Sequence, residues 1–387
     1  MTVRFGLADD WLSAPSDPAE LSRAAVEQGW SDGLPGVAPT EERIVGFLER
    51  WDLDAEDGLG AFPPAEGEAT FARIAANAVF AGCSPETFPI VVTALEAMLD
   101  PAFNLEGIQA TTHPVAPLII VHGAAVVDLH FNAGAGVFGP GTMANATVGR
   151  AVRLCMLNIG GARPGERDRA TQGQPSKYSY CIGENASDSP WPEYHAARAG
   201  LASATSAVTV FGAENPHNVN DHVSTTARGI LDTAASTMAA MGANNAHYSQ
   251  GEIFLVLGPE HASTVAASGF SRRDVQLYLY ERARLPVATL AGGGMTGMDA
   301  WAGWKHALAS SDDVLLPPLN DPDDLRVLVS GGPGKHSSVI PGFGATRSVT
   351  RAVGTRFRTS TADTDIDDAA AQPSTPDLAT PTDRDER

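Results

Sequence analysis

The chain is short of positive charge, of cysteine and of long apolar runs, and each shortage removes a class of function. Against 46 Asp and Glu stand only 26 Lys and Arg, a formal net charge of −20. Nucleic-acid phosphates and anionic membrane surfaces both need clustered basic residues, so neither is an expected partner. No apolar run approaches the roughly twenty residues of a membrane-spanning helix. Residues 1–8 lack the basic-then-apolar pattern of a signal peptide, which makes the cytoplasm the expected location. The three cysteines, Cys83, Cys155 and Cys181, are too few for a disulfide framework and fit reduced thiols.

The 387 residues suffice for one large or two ordinary domains, and 43% apolar residues with 39 Gly and 27 Pro describe a globular chain with many tight turns. Residues 1–60 read as an irregular Pro/Gly-rich arm with helices at 18–28 and from Glu41. Residues 61–200 read as a region carrying a thiol and a glycine-rich loop. In 201–358, strand patterns at 207–211, 252–257 and 325–329 alternate with helical ones at 223–241, from Ala262 and at 271–284. Such alternation predicts an α/β fold, with a mostly parallel sheet or sheets flanked by helices. Residues 359–387 hold almost no large apolar side chain, so a disordered acidic tail is expected.

Chemistry is densest at residues 77–149. Cys83 precedes Ser84-Pro85-Glu86, a helix-start pattern in which dipole and free N–H groups lower a thiol pKa, making it the nucleophile candidate. The alternative is a small buried residue. A loop with Gly134, Gly136 and Gly139 feeds a helix from Thr142 that carries Asn145, an arrangement able to offer N–H groups to a phosphate or carboxylate. It lacks the Gly-Lys-Ser/Thr of a phosphate-binding P-loop, and a tight turn explains it equally well. Lys177, Lys335, Arg150 and Arg163 are the cations able to pair with an acidic substrate there. His217, His261 and His336 each follow a strand and a glycine, where α/β sheets bind ligands. With His113 they are acid/base candidates around Cys83. Alternatively His217, Asp221 and His222 hold a divalent metal, although no spacing matches a metal motif.

The motifs Trp30-Ser31-Asp32-Gly33-Leu34-Pro35, Ala38-Pro39-Thr40-Glu41-Glu42-Arg43, Ala81-Gly82-Cys83-Ser84-Pro85-Glu86 and Gln109-Ala110-Thr111-Thr112-His113-Pro114 together resemble an uncharacterised bacterial family. The runs Ala144-Asn145-Ala146-Thr147-Val148-Gly149-Arg150-Ala151, Gly173-Gln174-Pro175-Ser176-Lys177-Tyr178 and Gly331-Gly332-Pro333-Gly334-Lys335-His336-Ser337 extend the resemblance over nearly all of 25–351. Genes of that family accompany small proteins with a selenocysteine- or cysteine-Gly-Ser-Cys motif, which implies a thiol or selenol protein partner. It implies no activity. Three readings compete: a thiol enzyme using Cys83 with histidines on a small acidic or thioester-like substrate, a metal-dependent hydrolase or lyase with histidine ligands, and a non-catalytic partner subunit. A homo-oligomer is compatible with all three.

Overall fold

The computed structural model describes residues 2–3, 12–292, 314–344, 346–354 and 357. The tail expected at 359–387 lies outside the described residues.

Two four-stranded sheets form the centre. The strands are β1 Ala116–His122, β2 Cys181–Gly183, β3 Ala207–Ala213, β4 His217–Asn220, β5 Ile253–Leu257, β6 Leu325–Val329, β7 His336–Pro341 and β8 Val349–Ala352. The first sheet has the order β8-β3-β1-β2 and the second β6-β5-β7-β4. Within each, one pair is parallel (β1 with β2, β5 with β6) and two are antiparallel. The sheets are therefore mixed, which corrects the expectation of a mostly parallel arrangement. The cause is loop length. Only residues 330–335 separate β6 from β7, too few for the crossover of a dozen or more that a parallel neighbour needs, so β7 returns antiparallel.

The period-2 alternation of each strand places the layers. Leu118, Ile120, Phe211, Phe254, Val256, Leu328 and Ile340 share one buried cluster, so the two sheets face each other. After α1 Pro18–Glu27 and α2 Glu41–Glu49 of the N-terminal arm come helices α3 Phe71–Ala81, α4 Phe88–Met98 and α5 Met143–Asn158, on which the alternate residues Ile119, Val121, Val208 and Val210 pack. Leu255, Leu257, Val327 and Val329 pack on α6 Ala227–Met238, α7 Pro259–Ala267 and α8 Arg272–Arg282. The layers run helix, sheet, sheet, helix. Strands buried on both faces need continuous apolar runs, as in Pro117-Leu118-Ile119-Ile120-Val121. Among the described residues, no single helix is long and apolar enough to cross a membrane.

The two sheets are built alike. The series β1, β2, β3, β4 and the series β5, β6, β7, β8 each give a parallel pair, then a strand antiparallel to the first, then a fourth strand that leaves its own sheet. β4 edges the second sheet beside β7, and β8 edges the first beside β3. This exchange ties the two sheets together, and strands from both 61–200 and 201–358 share the first of them.

The N-terminal arm is fastened to α5. Arg150 donates to both Asp32 carboxylate oxygens (2.7 and 2.8 Å) and to the Leu34 and Pro35 carbonyls, while Arg163 reaches the Gly29 carbonyl. These two arginines clamp the arm and do not line a crevice with the histidines. Cys155 lies fully buried on α5, as its helical spacing with Val152 and Ile159 predicts.

Candidate functional site

At the carboxyl ends of β5 and β6 two glycine-rich loops meet. The first, 132–141, is stapled by Asn145: its Oδ1 accepts the Asn132 N–H at 2.7 Å, and its Nδ2 donates to the carbonyls of Asn132 and Cys181. Asn145 therefore positions the loop from beneath. The second loop, 330–335, is held by the Gly331 N–H on the Ala133 carbonyl (2.8 Å), Ser330 Oγ on the Gly183 carbonyl (2.7 Å) and Asn185 Nδ2 on the Gly331 carbonyl. The contact is so close that a Cβ on Gly332 would lie 2.6 Å from the Ala135 Cα. Between the loops is a cleft of about 240 Å³ lined by Gly136, Val137, Asn218, Gly332, Gly334 and His336, among others. Among the described residues, no protein acceptor takes the N–H groups of Gly136, Gly332 and Gly334.

His336, on one wall, is paired with His222. His336 Nδ1 is 3.0 Å from Asn218 Oδ1, so Nδ1 carries hydrogen and Nε2 is the ring's free base. That Nε2 lies 3.2 Å from His222 Nε2, with the rings edge to face. Lys335 Nζ donates to the His222 carbonyl at 3.2 Å. The floor is rigid. His261, fully buried, has Nε2 on the Asp221 carbonyl (3.0 Å), which leaves its Nδ1 to accept the Ser337 hydroxyl (2.8 Å), and Ser337 Oγ in turn accepts the Gly258 N–H.

Of the residues named from sequence, Gly136 and His336 line this cleft, with Gly134 and Gly139 in the first loop and Lys335 at the end of the second, its Nζ turned to the His222 carbonyl. The others are placed elsewhere. His217 and His336 open β4 and β7 and do not close the preceding strands. Since His336 pairs with Asn220 and His217 with Val339, the two lie three positions apart along one ladder, roughly 10 Å. His217 is exposed, and His261 is the structural residue just described. Asp221 is occupied by the Val223 and Ser224 N–H groups and the Thr233 hydroxyl, so His217, Asp221 and His222 do not form a metal set. His113 bonds Glu214 at 2.9 Å and stacks on Phe343.

Cys83 lines a separate cleft of about 670 Å³ with Arg43, Phe47 and Pro85. Its N–H bonds the Ala78 carbonyl, so it sits just past the C-terminus of α3, where the dipole disfavours a thiolate. Only a three-residue turn, Pro85–Thr87, follows before α4. Burial pushes the thiol up to about 11, against the pull of Thr147, Thr87 and Arg150. The structure thus does not bring Cys83 together with the histidines. Its alkylation by iodoacetamide is expected to be slow at pH 7 and to climb tenfold per pH unit towards pH 10, as the thiolate fraction below a pKa of about 11 requires. A labelling rate that levels off near pH 7 contradicts this.

A third cleft, about 680 Å³, lies between the arm and α5 and includes Asp32, Arg153, Asp168 and Lys177. It is larger than the glycine cleft, but its cations are spent: Asp168 bonds Arg153 at 3.0 Å and Lys177 at 2.9 Å. Although burial alone would raise the Asp168 carboxyl, Lys177 and Arg153 hold it below the usual range. Lys177 therefore has an internal partner away from the glycine loops.

Sequence reasoning missed a cluster at the carboxyl ends of β1 and β2. His122 Nδ1 lies 2.6 Å from Glu184 Oε2, His122 Nε2 lies 2.8 Å from the Thr209 hydroxyl, and Glu184 Oε1 accepts the Tyr194 N–H at 2.6 Å. His195 stacks on His122 with ring centroids 5.2 Å apart. All three are buried to within 2%. Burial alone would raise Glu184; the hydrogen bond from His122, the nearby His195 ring and the Tyr194 N–H outweigh it and hold the carboxyl at about 2. Burial pushes the His122 imidazole down. The available signal was His122 at the end of an apolar strand.

No protein-family model, curated protein or solved structure matches this chain.

Proposed function

We propose that the protein is an enzyme acting on a small acidic substrate, held in the glycine cleft by its anionic group. What carries this reading is the meeting of two glycine loops whose N–H groups at Gly136, Gly332 and Gly334 lack acceptors among the described residues, beside a histidine pair. Oriented N–H groups favour an oxyanion without the desolvation cost of a buried charge, and Lys335 adds the cation that a chain of net charge −20 must supply locally. His336, with its Nδ1 fixed by Asn218, is the general base, and His222 is the group that shares its proton. Cys83 takes no part.

Calorimetric titration with inorganic phosphate tests the reading. Wild-type protein is expected to bind saturably, Lys335→Ala to bind five- to tenfold more weakly, about 1 to 1.4 kcal/mol, and His336→Gln to retain its fold. Equal affinity in wild type and Lys335→Ala, or no saturable binding at all, overturns it.

A further inference from the structure

His122, Glu184 and His195 come from three separate segments: the end of β1, the residue after β2, and a short helix, Tyr194–Ala199. None lines any of the clefts described above. Their potential ligand atoms all lie within 4.8 Å of one another. Two features make the cluster unlike an ordinary buried hydrogen-bond network. His195 Nε2 faces the Ala202 carbonyl at 3.3 Å and must carry the hydrogen there. That leaves His195 Nδ1 as a lone pair, fully buried, without a hydrogen-bond partner, and 3.7 Å from Glu184 Oε2. A lone pair facing a carboxylate in a dry interior is unfavourable, so a cation belongs between them, and 3.7 Å is beyond hydrogen-bond reach for a proton on Nδ1.

The second feature is the outer contacts. Ligand histidines of metal sites commonly donate their other ring N–H to a carbonyl, carboxylate or hydroxyl, which fixes tautomer and orientation. His195 does so to Ala202. His122 Nε2 meets the Thr209 hydroxyl, itself 2.8 Å from the Thr350 hydroxyl and able to pass the bond on. Glu184 is anchored through Oε1 on the Tyr194 N–H, which frees Oε2 to face both rings. An ion bonded at about 2.0–2.2 Å to each ligand needs donors about 3.3 Å apart. The observed 2.6 and 3.7 Å lie on either side of that value.

We propose that His122 Nδ1, His195 Nδ1 and Glu184 Oε2 form a buried three-ligand site for a divalent transition metal of the zinc type, with a water molecule as the fourth ligand. Two imidazoles and one carboxylate are a borderline donor set that suits zinc and not calcium or magnesium, which take oxygen ligands. Because the three side chains are sealed from solvent, the ion is taken up as the chain folds, and it acts on stability more than on turnover. The site is independent of the glycine cleft, at the carboxyl end of the other sheet's parallel pair.

The test is metal analysis of the full chain purified without chelator or affinity metal. One equivalent of a first-row divalent metal is expected. After unfolding in chelator, chain refolded in excess Zn²⁺ is expected to melt higher than chain refolded without metal, and refolding with Co²⁺ is expected to give the visible absorption of a tetrahedral site. His195→Gln is expected to lose the metal. Should that variant fail to fold, the wild-type refolding comparison decides alone. Less than a tenth of an equivalent in wild type together with identical melting in both refolding conditions overturns the proposal, as does a folded His195→Gln variant that retains the full equivalent.

Discussion

Glu184→Ala is expected to destabilise the protein by about 3–5 kcal/mol, the range for removing one partner from a buried charged network. Glu184 joins His122 through Oε2 and the Tyr194 N–H through Oε1, and its side chain is 1% exposed. No water can replace the lost carboxylate for His122 and for the backbone N–H, so both remain unsatisfied inside the inter-sheet layer. Glu260→Ala is the control, since Glu260 is exposed on the first turn of α7. A change within about 0.5 kcal/mol is expected for it. Denaturant unfolding monitored by far-UV circular dichroism measures both, and similar losses in the two variants would show that the cluster does not stabilise the fold.

Gly332→Ala is expected to weaken phosphate binding at least tenfold, about 1.4 kcal/mol. The new methyl would lie 2.6 Å from the Ala135 Cα and 2.8 Å from the Ala135 nitrogen, and backbone atoms cannot swing aside as the end of a side chain can. The two loops must separate, which pulls the Gly332 and Gly334 N–H groups away from that of Gly136. The next residue, Pro333, cannot absorb the shift, because its ring fixes φ. Gly46, whose added Cβ meets nothing within 4 Å, is the comparison, and Gly46→Ala is expected to leave binding unchanged. Calorimetry on the two variants makes the measurement, and equal weakening in both would detach the effect from loop contact.

Some of this was legible in the sequence because it rests on local pattern. The apolar run of β1 has no polar position to set against its neighbours, which marks a strand covered on both faces. The helix expected from Thr142 runs Met143–Asn158, and Ser271 caps α8 through a box with Asp274. Other features depend on what a strand meets after folding. β4, His217-Asn218-Val219-Asn220, has one buried side chain in four and no apolar alternation strong enough to mark it. β2 is three residues inside a long irregular stretch, and its position is set by parallel pairing with Ile119 to Val121. Reading His217 and His336 as closing their strands, when they open the next ones, led directly to the expected common crevice with Cys83.

The candidate site divided along the same line. Gly134, Gly136 and Gly139 are visible because glycine density is a local property, as is the Gly331-Gly332-Pro333-Gly334 run. That the two runs face each other follows from the packing of one sheet on the other, which no window of sequence reports. Glu184 and His195 lie 62 and 73 positions beyond His122, and burial in the inter-sheet layer, not spacing, is what brings them to it.

The central claim, that the two loops hold a small oxyanion, is tested most directly in protein labelled with ¹⁵N-glycine. The 39 glycines give a spectrum in which individual amides can be followed by substitution. On titration with inorganic phosphate, the resonances of Gly136, Gly332 and Gly334 are expected to move together and saturate at one affinity, while that of Gly173, in the cleft where Lys177 is paired with Asp168, stays fixed. Movement of Gly173 with Gly136, Gly332 and Gly334 unmoved would contradict the account.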